Sequence, residues 1–336
     1  MNGGHPPDDA ICAICAICAI CGICAICGIC AICGICAICG GRRGVLTFMR
    51  LASVCLLLCL VTSTAAQDRP LPDFNTFMAE TRKRLQADDV RQSDYVYLET
   101  RHEQKLDETG KTTKETLNVF ESYPALPGEF RWQRQTVKDG RPVPPDELAK
   151  ADRDRQKKVM DYAKRLQREP DKVRAEEQKK RDEERRDTDR AVDDALRVYE
   201  IKMLGREIVN GYETIAFSFT PRKNAKPQTR EGKIMRHFAG KAWVSESEYE
   251  VVRLEAEAIE TASFGLGLLA RVHKGSKAAF ERRKVNGEQW LPARATYTAS
   301  ARVMLVRVLR IGGTSEFSDY RKFSVQTDTK IGKPPG

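Results

Sequence analysis

Ten cysteines recur at every third residue from Cys12 to Cys39 in an Ala/Gly-Ile-Cys repeat, and Cys55 and Cys59 complete the chain's twelve. Overlapping Cys-x-x-Cys pairs have the spacing of zinc and iron–sulfur sites. Such sites separate their ligand pairs with shaped loops and supporting partners. This tract has one period and no His, Asp or Glu. It reads as low complexity, a short DNA repeat translated ahead of the true start. Two other readings compete with it: a metal-binding tail, and a membrane segment, since residues 10–41 carry no charge and are long enough to span. No cysteine follows residue 59, so disulfides, thiolate nucleophiles and cysteine metal ligands are excluded from the rest of the chain.

The remaining reactive residue types are sparse or scattered. His102, His237 and His273 fall on three separate predicted strands, with no spacing suited to a metal. There is no Gly-x-Ser-x-Gly elbow, phosphate loop or His-Glu-x-x-His. Gly265-Leu266-Gly267 is too short and too apolar to hold a dinucleotide. Carboxylates abound, but they lie in a charged arm or face arginines on strands. The expectation is a protein with no catalytic residue, metal or cofactor.

The elements that carry these residues begin with a leader. Met49-Arg50 is a short basic start and residues 51–61 are an apolar run. Small residues follow to Ala65-Ala66, ahead of polar Gln67. That is the pattern of a secretory signal peptide cleaved near Ala66, which places the mature chain in the periplasm or outside the cell. The division expected is a leader over residues 1–48, a signal peptide over 49–66 and a single domain over 67–336. Those 270 residues hold 54 basic and 45 acidic side chains, a formal charge of +9. Such a balance suits anionic phospholipid, anionic glycans or an acidic partner, and export makes nucleic acid the least suited.

Within the domain, residues 73–87 have helical spacing at Phe74, Phe77, Met78 and Leu85. From Asp94 the period becomes two, with strands over 95–100 and beyond, 116–123 and 129–137, and turns near 108–111 and at Asp139-Gly140. Residues 146–197 break this pattern. They hold 16 acidic and 17 basic residues among 52, divided by Pro170, and read as an exposed charged helical arm inserted in a loop of the sheet. Alternation resumes at Val198. Asn210-Gly211 and Asn286-Gly287 are two-residue hairpin turns, and Gly312-Gly313 is expected to break the last strand pair. The sum is nine or ten antiparallel strands: an α+β protein, a curved antiparallel half-barrel around an N-terminal helix.

Two apolar features could do work. Residues 261–270 are apolar and glycine-bearing with neither clean period, either a bulged buried strand or a loop at a cavity mouth. Trp243, Trp290, Phe217, Phe219, Phe280 and Phe323 all lie on strands, where aromatics on a concave face make a core if a helix fills it and a binding cavity if none does. Gly240-Lys241-Ala242-Trp243-Val244 with Val251-Val252-Arg253-Leu254-Glu255 resembles a strand pair of the outer-membrane lipoprotein-sorting (LolA/LolB-like) superfamily. The hairpin from Asn286 to Pro292 and the strand from Phe317 to Phe323 fit the same pattern. The resemblance covers roughly residues 199–326, and the charged arm departs from the shorter carriers. It implies a half-open barrel whose hydrophobic cavity carries lipid or lipoprotein acyl chains through the periplasm. Candidate cavity residues are Phe217, Phe219, Trp243, Leu254, Phe264, Leu266, Leu268 and Trp290. The rival reading is a cell-envelope interaction module whose residues 146–197 engage a partner protein. Peripheral membrane contact suits either. A continuous apolar pocket of about 300 Å³ or more separates carriage from a filled interior.

Overall fold

The computed structural model describes residues 69–92, 95–124, 131–264, 270–303 and 307–322. The leader and signal-peptide expectations, and Phe323, lie outside these residues. Helix α1 (Phe74–Gln92) comes first, capped by Asp73, whose Oδ1 accepts from the Thr76 amide at 2.9 Å. Four strands follow: β1 (Tyr95–Leu106), β2 (Thr112–Tyr123), β3 (Trp132–Lys138) and β4 (Arg141–Pro142). Helices α2 (Pro145–Arg168) and α3 (Pro170–Val198) then lead to β5 (Tyr199–Val209) and β6 (Tyr212–Pro221). A short helix, α4 (Arg230–Met235), precedes β7 (Phe238–Ser245) and β8 (Val251–Ala258). The chain continues through β9 (Ala262–Phe264), β10 (Ala270–Val272), β11 (Lys277–Val285), β12 (Gln289–Val303) and β13 (Arg307–Lys322).

The thirteen strands of the described residues form one antiparallel sheet in the order β4-β3-β2-β1-β13-β12-β11-β8-β7-β6-β5, with β10 alongside β12 and β9 beside β10. Ten are long, and the three beyond the expected count have only two or three residues. The hairpin signals act as the sequence predicts. Asp139-Gly140, Asn210-Gly211 and Asn286-Gly287 each place two successive residues at positive φ, the turn that matches strand twist.

Gly312-Gly313 behaves differently from expectation. Both lie inside β13, opposite Thr298 and Tyr297 of β12, and do not form a turn. A Cβ on Gly313 would sit 2.7 Å from the Tyr297 ring. The glycine is there to admit that ring, which crosses the sheet so that its hydroxyl donates to Glu103 Oε1 at 3.3 Å.

Cross-strand partners share a face, so the register traces one row across the sheet. It runs Met203, Phe217, Ala242, Leu254, Phe280, Ala295, Ser315, Arg101, Asn118. This row lies on the face that α1 covers, because Phe77 of α1 packs on Phe217 at 5.6 Å between ring centroids. The covered face is thus apolar from β5 to β11 and polar from β13 to β2.

The charged segment is a helical hairpin, α2 and α3, that connects β4 at one end of the strand order to β5 at the other. α2 buries no residue. It rests on β3 through Arg134, which donates to both carboxylate oxygens of Asp152 at 2.7 and 3.1 Å. The two helices are tied by the Tyr162 hydroxyl donating to Glu177 and by Arg165 to Glu176 at 3.0 Å. The last turns of α3 are not exposed as the composition suggests. Ala191, Val192, Asp194 and Val198 are buried, because apolar residues return after Arg190 and pack into the interior.

Candidate functional site

Where α1 and α3 cross the apolar part of the covered face, they leave a cavity of about 160 Å³. Its floor is Ile201, Phe217, Phe219, Ala242, Val244, Val251 and Leu254. Its cover is Met78, Thr81, Arg82 and Leu85 from α1 with Ala191, Val192, Ala195 and Leu196 from α3, and Tyr199 and Met235 close one end. The strand residues reach it because a period of two turns every second side chain inward. The helix residues reach it because 78, 81, 82 and 85 share one face at spacings of three and four.

Phe77, Ile215, Phe217, Val244 and Val251 form a buried cluster beside the cavity, and the Phe77 ring also meets Tyr249 at 5.1 Å. At the rim Arg82 of α1 pairs with Asp193 of α3 at 2.5 Å, half-exposed on both sides. At the closed end the Tyr199 hydroxyl donates to the Met235 carbonyl at 2.8 Å. Asp194 is fully buried there. Its Oδ2 accepts from the amides of Gln228 (2.8 Å) and Thr229 (2.6 Å) and from the Thr229 hydroxyl (2.7 Å), while Arg197 reaches Oδ1 at 2.6 Å. Burial pushes its carboxyl upward, but these donors outweigh that and hold it below the usual aspartate range.

Phe217, Phe219 and Leu254 are brought together on the cavity floor. Trp243 is not. It pairs with Arg253 while its neighbours Ala242 and Val244 line the cavity, so it faces the opposite side, donating to Glu207 at 2.7 Å under the Arg253 guanidinium. Trp290 is also elsewhere. It is buried in the β11–β12 hairpin, tilted against the Tyr212 ring with centroids 4.5 Å apart and donating to Glu248 at 3.0 Å. Its indole ties its own hairpin end to those of β5–β6 and β7–β8. Leu266, Leu268 and the side chain of Phe264 lie outside the described residues.

Polar chemistry sits on the other half of the covered face. Arg101 donates to Glu99 at 2.6 and 2.8 Å and to Gln133 at 3.0 Å, with its guanidinium 4.2 Å over the Phe120 ring. Glu99 and Arg101 are 1% and 2% exposed, so this is a buried bidentate pair that neutralises itself. A second buried pair joins Arg282 to Glu250 at 3.1 Å. Burial pushes the Glu103 carboxyl upward, against the opposing pull of Arg101 and of the Tyr297 hydroxyl. Periodicity alone does not single these residues out. The readable signal is Glu and Arg at alternate positions of β1, where a half-buried strand would carry apolar residues.

Among the described residues no three His, Cys, Asp or Glu side chains are grouped to hold a metal, and no helix is long and apolar enough to cross a membrane. The cavity can exclude water from an apolar group and surround it; the two hydroxyls in its lining, Thr81 and Tyr199, donate to the carbonyls of Phe77 and Met235.

Neither a protein-family model nor a curated protein matches the chain. Among solved structures it is similar to an outer membrane lipoprotein-sorting protein domain from Vibrio parahaemolyticus, at 8% identity over 76% of this chain and 95% of that one, with a TM-score of 0.29. A LolA superfamily protein from Nitrosomonas europaea is similar at 9% identity over 77% and 97%, TM-score 0.26. A DUF1329 family protein from Desulfovibrio piger is similar at 11% over 75% and 93%, TM-score 0.26. These superpositions are loose, and the half-barrel architecture stands on the strand register itself.

Proposed function

We propose that this protein binds a lipid or lipoprotein acyl chain in the apolar half of its covered face, outside the cytoplasm, and does not transform it. The observation that carries the reading is the apolar cavity of about 160 Å³ between α1, α3 and strands β5–β8. A cavity of about 150 Å³ stays dry and accepts one benzene ring. The space therefore suits about six carbons, and burying them is worth roughly 5 kcal/mol at about 0.8 kcal/mol per methylene. A whole chain of ~15 carbons would gain about 12 kcal/mol on the same scale, but it needs more room. Tight carriage thus requires α1 to swing off the floor, parting the Arg82–Asp193 pair and the Phe77–Phe217 ring contact.

The volume, by contrast with the apolar lining, favours a second reading, since it falls short of about 300 Å³, the lower end of ligand pockets. In that reading α1 and α3 fill the half-barrel permanently, and the α2–α3 hairpin engages an envelope partner. Uptake of a fluorescent fatty acid by the folded protein separates the two. Saturable binding that Phe217→Asp or Leu254→Asp abolishes, and Trp243→Phe leaves intact, supports the carrier. A folded protein that takes up none supports the module.

A further inference from the structure

We infer that the connection between β6 and β7, with the turn beside it, is a docking surface for an anionic phospholipid membrane. From Arg222 to His237 the chain has six basic residues and one acidic residue. Arg222, Lys223, Lys226, Arg230, Lys233 and Arg236 are all exposed, and none has an ion-pair partner among the described residues. That composition is unlike the α2–α3 hairpin, where near-equal numbers of both signs neutralise one another.

The fold sorts these cations onto one side. In α4, Gly232, Ile234 and Met235 are buried, with Met235 closing the cavity, while Arg230, Lys233 and Arg236 recur at every third residue toward solvent. Asp194 fixes this orientation by holding Gln228 and Thr229 from the inside. The Ile259 amide donates to the His237 carbonyl at 2.9 Å, which places an apolar side chain, 38% exposed, at the edge of the patch. Lys274, exposed on the neighbouring turn, extends the positive charge, since its amide lies 3.4 Å from the Thr261 hydroxyl. Carboxylates near it include Glu231, Glu260 (3.9 Å from His237), the fully bonded Asp194, and Glu200, which lies cross-strand from Thr220 and is paired with Lys202.

Clusters of four to eight Lys or Arg side chains bind anionic bilayers, each contributing about fivefold in affinity near the surface. Durable attachment takes a second signal, such as an apolar group that enters the headgroup boundary. Cations beside an exposed isoleucine meet both requirements, whereas a soluble polyanion would need only the charge. Docking here would set the Met235 end of the cavity against the lipid, but it does not depend on the cavity being filled.

The test is co-sedimentation of the full-length protein with vesicles of phosphatidylcholine alone and with one-quarter phosphatidylglycerol, in parallel with heparin binding. Binding only to the anionic vesicles, weakening as salt rises, is expected. Replacing Lys223, Lys226 and Lys233 together by Gln should lower it by about a hundredfold. Those side chains make no ion pair among the described residues, so an unchanged circular dichroism spectrum is expected. Ile259→Ser should weaken vesicle binding and leave heparin binding unchanged. Absent vesicle binding, binding that the triple variant retains, or binding to heparin alone would overturn the inference, the last assigning the patch to a soluble polyanion.

Discussion

Asp194→Ala should be among the most damaging single changes in the domain. The carboxylate joins α3 to the loop entering α4 through two amides, a hydroxyl and the Arg197 guanidinium, all within 2.6–2.8 Å. Truncation leaves the Gln228 and Thr229 amides without an acceptor, each costing about 1–3 kcal/mol when buried. The Thr229 hydroxyl rotates to a new partner, and its oxygen still accepts from the Gly232 amide. These groups are only partly shielded, so the sum is about 3 kcal/mol. Asp194→Asn keeps one acceptor and should cost about half. Urea unfolding of the three proteins measures this as a fall in midpoint at constant slope. The effect should also depend on pH in a defined direction. The folded carboxyl lies below its unfolded value of about 3.9. Its stabilisation is therefore complete above that value and is lost as pH falls through the folded one. The gap between wild type and Asp194→Asn should be flat from pH 5 to 8 and shrink below about pH 4. An Ala variant within about 0.5 kcal/mol of wild type, or a gap that widens in acid, would refute the reasoning.

Three further changes probe the sheet. Gly313→Val should destabilise by about 1–3 kcal/mol, since its Cβ would meet the Tyr297 ring, and Tyr297→Ala in the same chain should recover part of the loss in thermal melts. Arg101→Met should cost about 3–5 kcal/mol by stranding buried Glu99, while the Glu99→Leu/Arg101→Met pair should come out near neutral in urea unfolding. Because burial raises the Glu103 carboxyl, ionising it disfavours the fold. Glu103→Gln should therefore stabilise at neutral pH, an advantage that disappears in acid, as a pH series of melting temperatures would show.

Much of this fold is written in local signals. The change from helical spacing to alternation at Asp94, and the Asn-Gly and Asp-Gly turns, mark most strands because each depends only on near neighbours. Gly312-Gly313 misled for the opposite reason: its role is set by Tyr297, a cross-strand partner. The α2–α3 hairpin was readable as helical from its charges, yet the burial of Ala191 and Val192 depends on the crossing with α1, and that of Val198 on α4 and the sheet. The site divides in the same way. Phe217, Phe219 and Leu254 lie on the floor because their strands alternate cleanly there. Trp243 has the same period but the opposite phase, and Trp290 was drawn into a hairpin end by Glu248 and Tyr212. The buried Glu99–Arg101 pair breaks the apolar pattern of its strand, and only the sheet shows that Gln133 and Phe120 surround it.

The central claim is that an acyl chain occupies the apolar half of the covered face. Native mass spectrometry of the protein after gentle purification from the envelope, followed by lipid extraction, tests it most directly. One lipid per protein in the wild type, absent from a folded Phe217→Asp variant, is the predicted result. A folded wild type that carries no lipid and acquires none on incubation with fatty acid would contradict it.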